Sequence, residues 1–181
     1  MPWIRQIRFS GLGGQGVVLA GLLLGEAGAA DGRTVTGSNS YGAQARGSGC
    51  KSEVVLSDGP IDFPHVTRAD VLVAMSQSAY DQYAGEVTQD ALILYDSSQV
   101  KPAGGVRARQ LGAPATETAL KKLKNKQVAN IVLLGALVEA DPVVSAEAVV
   151  KAIEKHVSPR FLALNLDAFS AGRELSRQSH G

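Results

Sequence analysis

Cysteine is almost missing from this 181-residue chain, which holds only Cys50. A lone cysteine forms no internal disulfide and cages neither a structural zinc nor an iron–sulfur cluster. Histidine is nearly as scarce. His65, His156 and His180 fall beside a proline, at a helix end and in the tail, and none has a motif partner for acid–base chemistry. Excess charge of one sign is also lacking: 18 Lys and Arg against 17 Asp and Glu leave +1, which is not the electrostatic footprint of a nucleic-acid binder. Long hydrophobic runs are absent too. The opening MPWIRQIRFSG has no apolar core of a secretory signal, and the apolar stretch over residues 17–24 falls far short of the ~20 residues that span a bilayer. The expectation is a cytoplasmic protein that engages neither membrane nor nucleic acid.

What is present is an ordinary 45% of apolar residues, and a length able to bury roughly 70% of the unfolded chain's surface. Glycine is the outlier, at 20 of 181 residues against a typical ~7%. Its excess is concentrated in the first quarter of the chain, where function is to be sought.

Hydrophobic patterning predicts strands at 3–9, 33–36, 52–57, 69–76, 91–96 and 106–111. A helix apolar on nearly every side follows the first strand over 17–30, ended by Asp31-Gly32. A short helix is expected at 77–84, a small-residue loop at 37–49, and helices at 117–126, 128–138, 145–157 and from Ser158-Pro159 to about 175. The 128–138 helix is too apolar for an open surface and reads as core. The whole predicts an α/β fold: a Rossmann-like three-layer sandwich with a mostly parallel central sheet and a helical C-terminal part, in one domain over 1–181.

Gly11-x-Gly13-x-x-Gly16 sits between the first strand and the first helix, the context of a phosphate-binding loop. Free N–H groups and the positive end of the helix dipole would face an anion there. A tight strand–helix turn with no ligand has the same pattern. A dinucleotide fold needs an acid at the end of the second strand, and Thr34-Val35-Thr36 runs instead into Gly37-Ser38-Asn39. No Gly-Lys-Ser/Thr follows the loop, so it is not a P-loop. Arg46 lies among small residues and suits a phosphate, a carboxylate or an ion pair. Cys50 has neither a nearby histidine nor a helix N-terminus to activate it. The run Lys121, Lys122, Lys124 and Lys126 fits a solvated helix face, or a contact to an acidic partner.

Taken together, GLGGQGVVLAG and SYGAQARGSGCKSEVVLSDGPIDFP resemble the gamma subunit of 2-oxoacid:ferredoxin (acceptor) oxidoreductases. The branch with 2-oxoglutarate and phenylglyoxylate (aryl-glyoxylate) enzymes is nearest. The family pattern, G-x-G-G-Q-G, then S-Y-G-x-x-x-R-G-G, then V-x-x-S-x-x-x-I and a proline, is met here down to Val54, Ser57, Ile61 and Pro64. Later likenesses are Leu111-Gly112-Ala113, Asn130 with Leu134-Gly135-Ala136, and Asn165 with Ala168-Phe169 and Gly172. Ser48 replaces the second glycine after the arginine, and Ala43-Gln44 stands where many relatives have Pro-Glu.

The resemblance implies a non-catalytic subunit of an enzyme that converts a 2-oxoacid and coenzyme A to acyl-CoA, CO₂ and two electrons. Thiamine diphosphate, Mg and [4Fe-4S] clusters would sit on partners: an alpha chain, a thiamine-binding beta chain, a ferredoxin-like delta chain, and in some enzymes an NAD-linked flavoprotein subunit. It also implies a shared coenzyme A site formed by Gly11, Gly13, Gly14, Gln15, Gly16, Ser40, Tyr41, Arg46 and Gly47, with no catalytic or metal-ligating residue on this chain. The alternative from the glycine loop alone is a stand-alone nucleotide- or CoA-binding module.

Overall fold

The computed structural model describes residues 3–43 and 47–179. The first strand, β1 (Ile4–Leu12), lies at the heart of a six-stranded sheet. Its alternation separates the two faces. Ile7 and Phe9 are fully buried toward the main helical layer, while Arg8 enters the other face. The remaining strands are β2 (Thr34–Tyr41), β3 (Gly49–Ser57), β4 (Ala69–Ala74), β5 (Val87–Asp96) and β6 (Arg109–Ala113). Their spatial order is β2-β3-β1-β4-β5-β6. Only β3 runs against the rest: it is antiparallel to both β1 and β2, whereas β1, β4, β5 and β6 pair in parallel. The α/β class and the mostly parallel sheet expected from sequence are thus found.

Helix α1 (Val17–Ala30) covers β1 and β3. It comes close because Gly21 and Gly28, one heptad apart, present no side chain; a Cβ there would overlap the Ser52 hydroxyl and the Leu56 side chain. Its C-terminal Asp31 accepts from the backbone N–H (2.6 Å) and hydroxyl (2.7 Å) of Ser145. Ser145 in turn caps α5 (Ala146–His156) through the Ala148 N–H. On the opposite face, α2 (Gln77–Tyr83) is capped by Ser76, and Tyr80 packs with Val55, Leu72 and Ile93 in a second, smaller core.

After β6 come α3 (Ala115–Lys121), a single 3-10 turn (Lys126–Val128) and α4 (Ala129–Ala140). Helix α4 is buried continuously from Asn130 to Val138, as its apolar composition required. It lies against α6 (Pro159–Gln178).

Three expectations are corrected. The loop proposed at 37–49 is mostly strand: β2 and β3 form a hairpin paired from Thr34↔Ser57 to Tyr41↔Cys50. Strand β2 forms the sheet's edge and is largely exposed, so its small polar residues carry no hydrophobic alternation. Gly11 belongs to β1, opposite Cys50, rather than to the turn. The helix proposed at 117–126 stops at Lys121, because Lys124 takes a left-handed φ of 56° and Asn125 caps the following turn.

Glu139 of α4 accepts from Arg173 and Arg177 of α6. The Arg177 hydrogen bond is the main cause holding its carboxyl below the usual carboxylate range. A carboxylate with a depressed pKa stabilises the fold above its ordinary pKa near 4.3, and that contribution is lost as pH falls through the lowered value. Urea midpoints of the wild type and Glu139→Gln should therefore differ at neutral pH and converge on acidification. An equal gap at all pH values would exclude the clamp.

Candidate functional site

In an open α/β sheet, ligands gather beyond the carboxyl ends of strands where the chain order reverses. Here that point is between β1 and β4, since the chain leaves β1 toward the β3–β2 side and returns to build β4, β5 and β6 on the other. A cleft of about 450 Å³ opens there, lined by the glycine loop, Gly47, Met75, Asp96, Thr116, Lys126 and Gln127. A second groove, also about 450 Å³, continues over the first turn of α1, where Gly13, Gly14, Gly16, Tyr41 and Asn130 meet.

Hydrogen bonds divide the expected site residues into two groups. Gln15 braces the fold: its Oε1 accepts from the Leu12 N–H (2.7 Å) and its Nε2 donates to the Met75 carbonyl (3.0 Å). Gly13 is also committed, its N–H donating to the Ser48 carbonyl at 2.8 Å, which joins the two sequence motifs in space. The N–H groups of Gly14, Gly16, Val17, Val18 and Leu19 have no protein acceptor among the described residues. Gly16 takes φ 74° as the N-cap of α1 and offers no side-chain cap. An uncapped 14-residue helix with its positive end facing a groove is receptive to an anion. Gly14 has φ 91°, a backbone conformation that favours glycine, and a Cβ built on it meets nothing within 4 Å, so the space above the loop is open there.

Ser40, Tyr41 and Gly11 line a smaller pocket of about 250 Å³ with Ser10 and Lys51. Tyr41, 67% exposed, borders both this pocket and the groove over α1. Arg46 lies outside the described residues. Cys50 is buried, and burial pushes its thiol pKa up, which suits an inert packing residue. His65 stacks edge-on against Phe63, and His156 stands 3.6 Å from Glu26; neither borders the glycine loop. His180 lies outside the described residues.

Three residues beside the loop were not among the site residues expected from sequence. Asp96 is buried, its carboxylate accepting from the Ser98 N–H and from the N–H and hydroxyl of Thr116, so it fixes the start of α3. Lys126 brings the end of the lysine run to the cleft. Asn130 was visible as a family likeness only, although one polar residue inside an apolar helix is itself a signal. Among the described residues no group of three or more His, Cys, Asp and Glu could hold a metal ion, and no helix is long and apolar enough to cross a membrane.

The second strand is not adjacent to β1, because β3 lies between them. The absent ribose-binding acid therefore agrees with a sheet that departs from the dinucleotide-binding order. Fold and site define an α/β domain with an uncapped, anion-receptive helix terminus at its switch point. The chain belongs to the pyruvate ferredoxin/flavodoxin oxidoreductase family, whose model matches residues 6–175. It is 42% identical over 177 residues to 2-oxoglutarate synthase subunit KorC of Methanocaldococcus jannaschii, covering 96% of this chain and 95% of the relative. It resembles the gamma subunit of a keto/oxoacid ferredoxin oxidoreductase from Geobacter sulfurreducens, with TM-score 0.88, 39% identity and coverage of 97% and 98%. The 2-oxoglutarate:ferredoxin oxidoreductase of Magnetococcus marinus, solved with 2-oxoglutarate, coenzyme A and succinyl-CoA, shares the fold at TM-score 0.88 and 24% identity; the match covers 97% of this chain and 31% of that one.

Proposed function

We propose that this chain is the gamma subunit of a 2-oxoacid:ferredoxin oxidoreductase, with 2-oxoglutarate the favoured substrate, and that its 181 residues work as one cytoplasmic gamma-type domain. The enzyme takes a 2-oxoacid and coenzyme A to acyl-CoA, CO₂ and two electrons. The observation that carries this reading is likeness along nearly the whole chain, at 42% identity to a 2-oxoglutarate synthase subunit. Family membership favours this over a stand-alone nucleotide- or CoA-binding module. With one cysteine in the sequence, the iron–sulfur clusters belong on partner chains, as do thiamine diphosphate and its Mg. Alpha, beta and delta chains are the partners this division of labour requires.

The subunit's own contribution is a share of the coenzyme A site. The free N–H groups at the start of α1 offer neutral donors to the diphosphate, and Arg46 supplies charge. Gly14 leaves the space the phosphates would enter, which gives a direct test in the assembled enzyme. Gly14→Ala should fold, at a backbone strain of about 1–2 kcal/mol. It should raise KM for coenzyme A about tenfold, equivalent to ~1.4 kcal/mol, and leave KM for 2-oxoglutarate unchanged. Arg46→Ala should act in the same sense. Equal changes for both substrates would refute the coenzyme A site.

A further inference from the structure

We infer that Asn130 is a ligand-binding residue, its side-chain oxygen accepting an N–H from an amide-bearing chain attached to the anion at the start of α1. Asn130 is 2% exposed, within the first turn of α4. Its Nδ2 donates to the Gly16 carbonyl at 3.0 Å. That bond fixes the carboxamide's orientation, because the reversed amide would set two acceptors against each other. The Oδ1 therefore points away from Gly16. It is buried and has no hydrogen-bond partner, a costly state that native proteins seldom leave unexplained.

Asn130 lies where two grooves meet. One passes over the donors of α1. The other, of about 220 Å³, runs on to the corner of α5 and α6, where Val128, Val157, Phe161 and Leu164 line it together with the polar Asn125, His156, Ser158 and Asn165. Leu19 and Gln127 are shared by both. The sequence of chemistries along the path is a row of N–H donors, a buried acceptor without a partner, then a surface of mixed apolar and polar side chains. A free phosphate has no donor suited to the acceptor apart from its own protons, and a bare alkyl chain has none at all. A chain with a secondary amide between its anionic and apolar parts satisfies each in turn. If the proposed function holds, on which this inference rests, that chain is the pantetheine arm of coenzyme A. Because the oxygen is buried, side chains that line the grooves have to shift for the amide to reach it.

The test uses the assembled enzyme with coenzyme A, two analogues each with one pantetheine amide nitrogen replaced by methylene, and adenosine 3′,5′-bisphosphate as an inhibitor lacking the arm. In the wild type, one analogue should show a KM at least tenfold above that of coenzyme A. In Asn130→Ala, KM for coenzyme A should rise about tenfold and the difference between it and that analogue should shrink to within twofold. Inhibition by the bisphosphate should be unchanged. A wild type indifferent to both analogues overturns the inference whether or not the variant assembles. So does a variant that keeps full discrimination, as it would if water occupied the oxygen. Weakened bisphosphate inhibition matching the change in KM reduces Asn130 to an anchor for Gly16 and also overturns it. If Gly14→Ala raises KM while Asn130→Ala does not, this inference alone fails; if neither does, the coenzyme A site itself fails.

Discussion

Gly172→Ala should cost the fold about 3 kcal/mol or more, lowering the midpoint of thermal unfolding by roughly 6–12 °C for a chain of this length. At the α4–α6 crossing the two helices touch backbone to backbone. A Cβ on Gly172 would overlap the carbonyl oxygen of Val132, and a Cβ on Gly135 would overlap that of Phe169. Neither obstacle is the tip of a side chain that can rotate away, so the axes must separate. Separation would loosen the contacts of Phe169 and Ala168 with the core, where both are almost wholly buried. Alanine's better helix propensity returns only about 1 kcal/mol. Ser170→Ala, on the exposed side of the same helix, is the control and should stay within about 0.5 kcal/mol of wild type. Equal stability of the two variants would refute the close crossing. The loss should reach the site as well, because α4 carries Asn130 in its first turn. On the proposed function, a residual folded population should show weakened binding of coenzyme A.

The fold was legible where periodicity and caps coincide. Helices α1, α2, α5 and α6 announce themselves through a buried apolar pattern or a serine or proline at the start, and β3, β4 and β5 through Val- and Leu-rich runs. The β2 half of the hairpin was not, because an edge strand of Thr, Gly, Ser and Asn buries too little to leave a trace of alternation. Within the site, Gly14 and Gly16 could be selected from the strand–glycine–helix context. Gln15 could not be separated from them: its role depends on Met75, 60 residues away. Asn130 contacts Gly16 across 114 residues, and Asp96 meets the cleft only because β5 lies beside β4. Such partners are set by topology rather than by local spacing.

Glu53→Leu should be about as damaging as Gly172→Ala, costing about 3–5 kcal/mol, and the loss should be partly reversed by adding Arg8→Met. Arg8 and Glu53 face each other directly in the antiparallel β1–β3 pair. Their side chains are nearly inaccessible to solvent, with Nε to Oε1 at 2.7 Å. Arg8 also donates to Glu86 at 2.8 Å and to the Val66 carbonyl, and its guanidinium lies 4.6 Å from the Tyr83 ring centre. Without Glu53 the buried guanidinium retains one carboxylate, Glu86, which is itself half exposed and screened by water. Without Arg8, by contrast, Glu53 still holds Lys51 at 3.0 Å, so Arg8→Met alone should cost less than Glu53→Leu. In the double variant neither ion is left unpaired in the interior, and Lys51 can turn to solvent. Its stability should fall between those of the wild type and Glu53→Leu. Strictly additive losses in a four-chain urea series would refute the coupling. The pair also bears on the site. A one-residue slip of β1 against β3 would drive Arg8 into the face occupied by Ile7 and Phe9. The same register sets Gly11 opposite Cys50 and Leu12 opposite Gly49. The ion pair beneath the sheet therefore helps fix how the glycine loop meets the β2–β3 hairpin, where the candidate ligand groove begins.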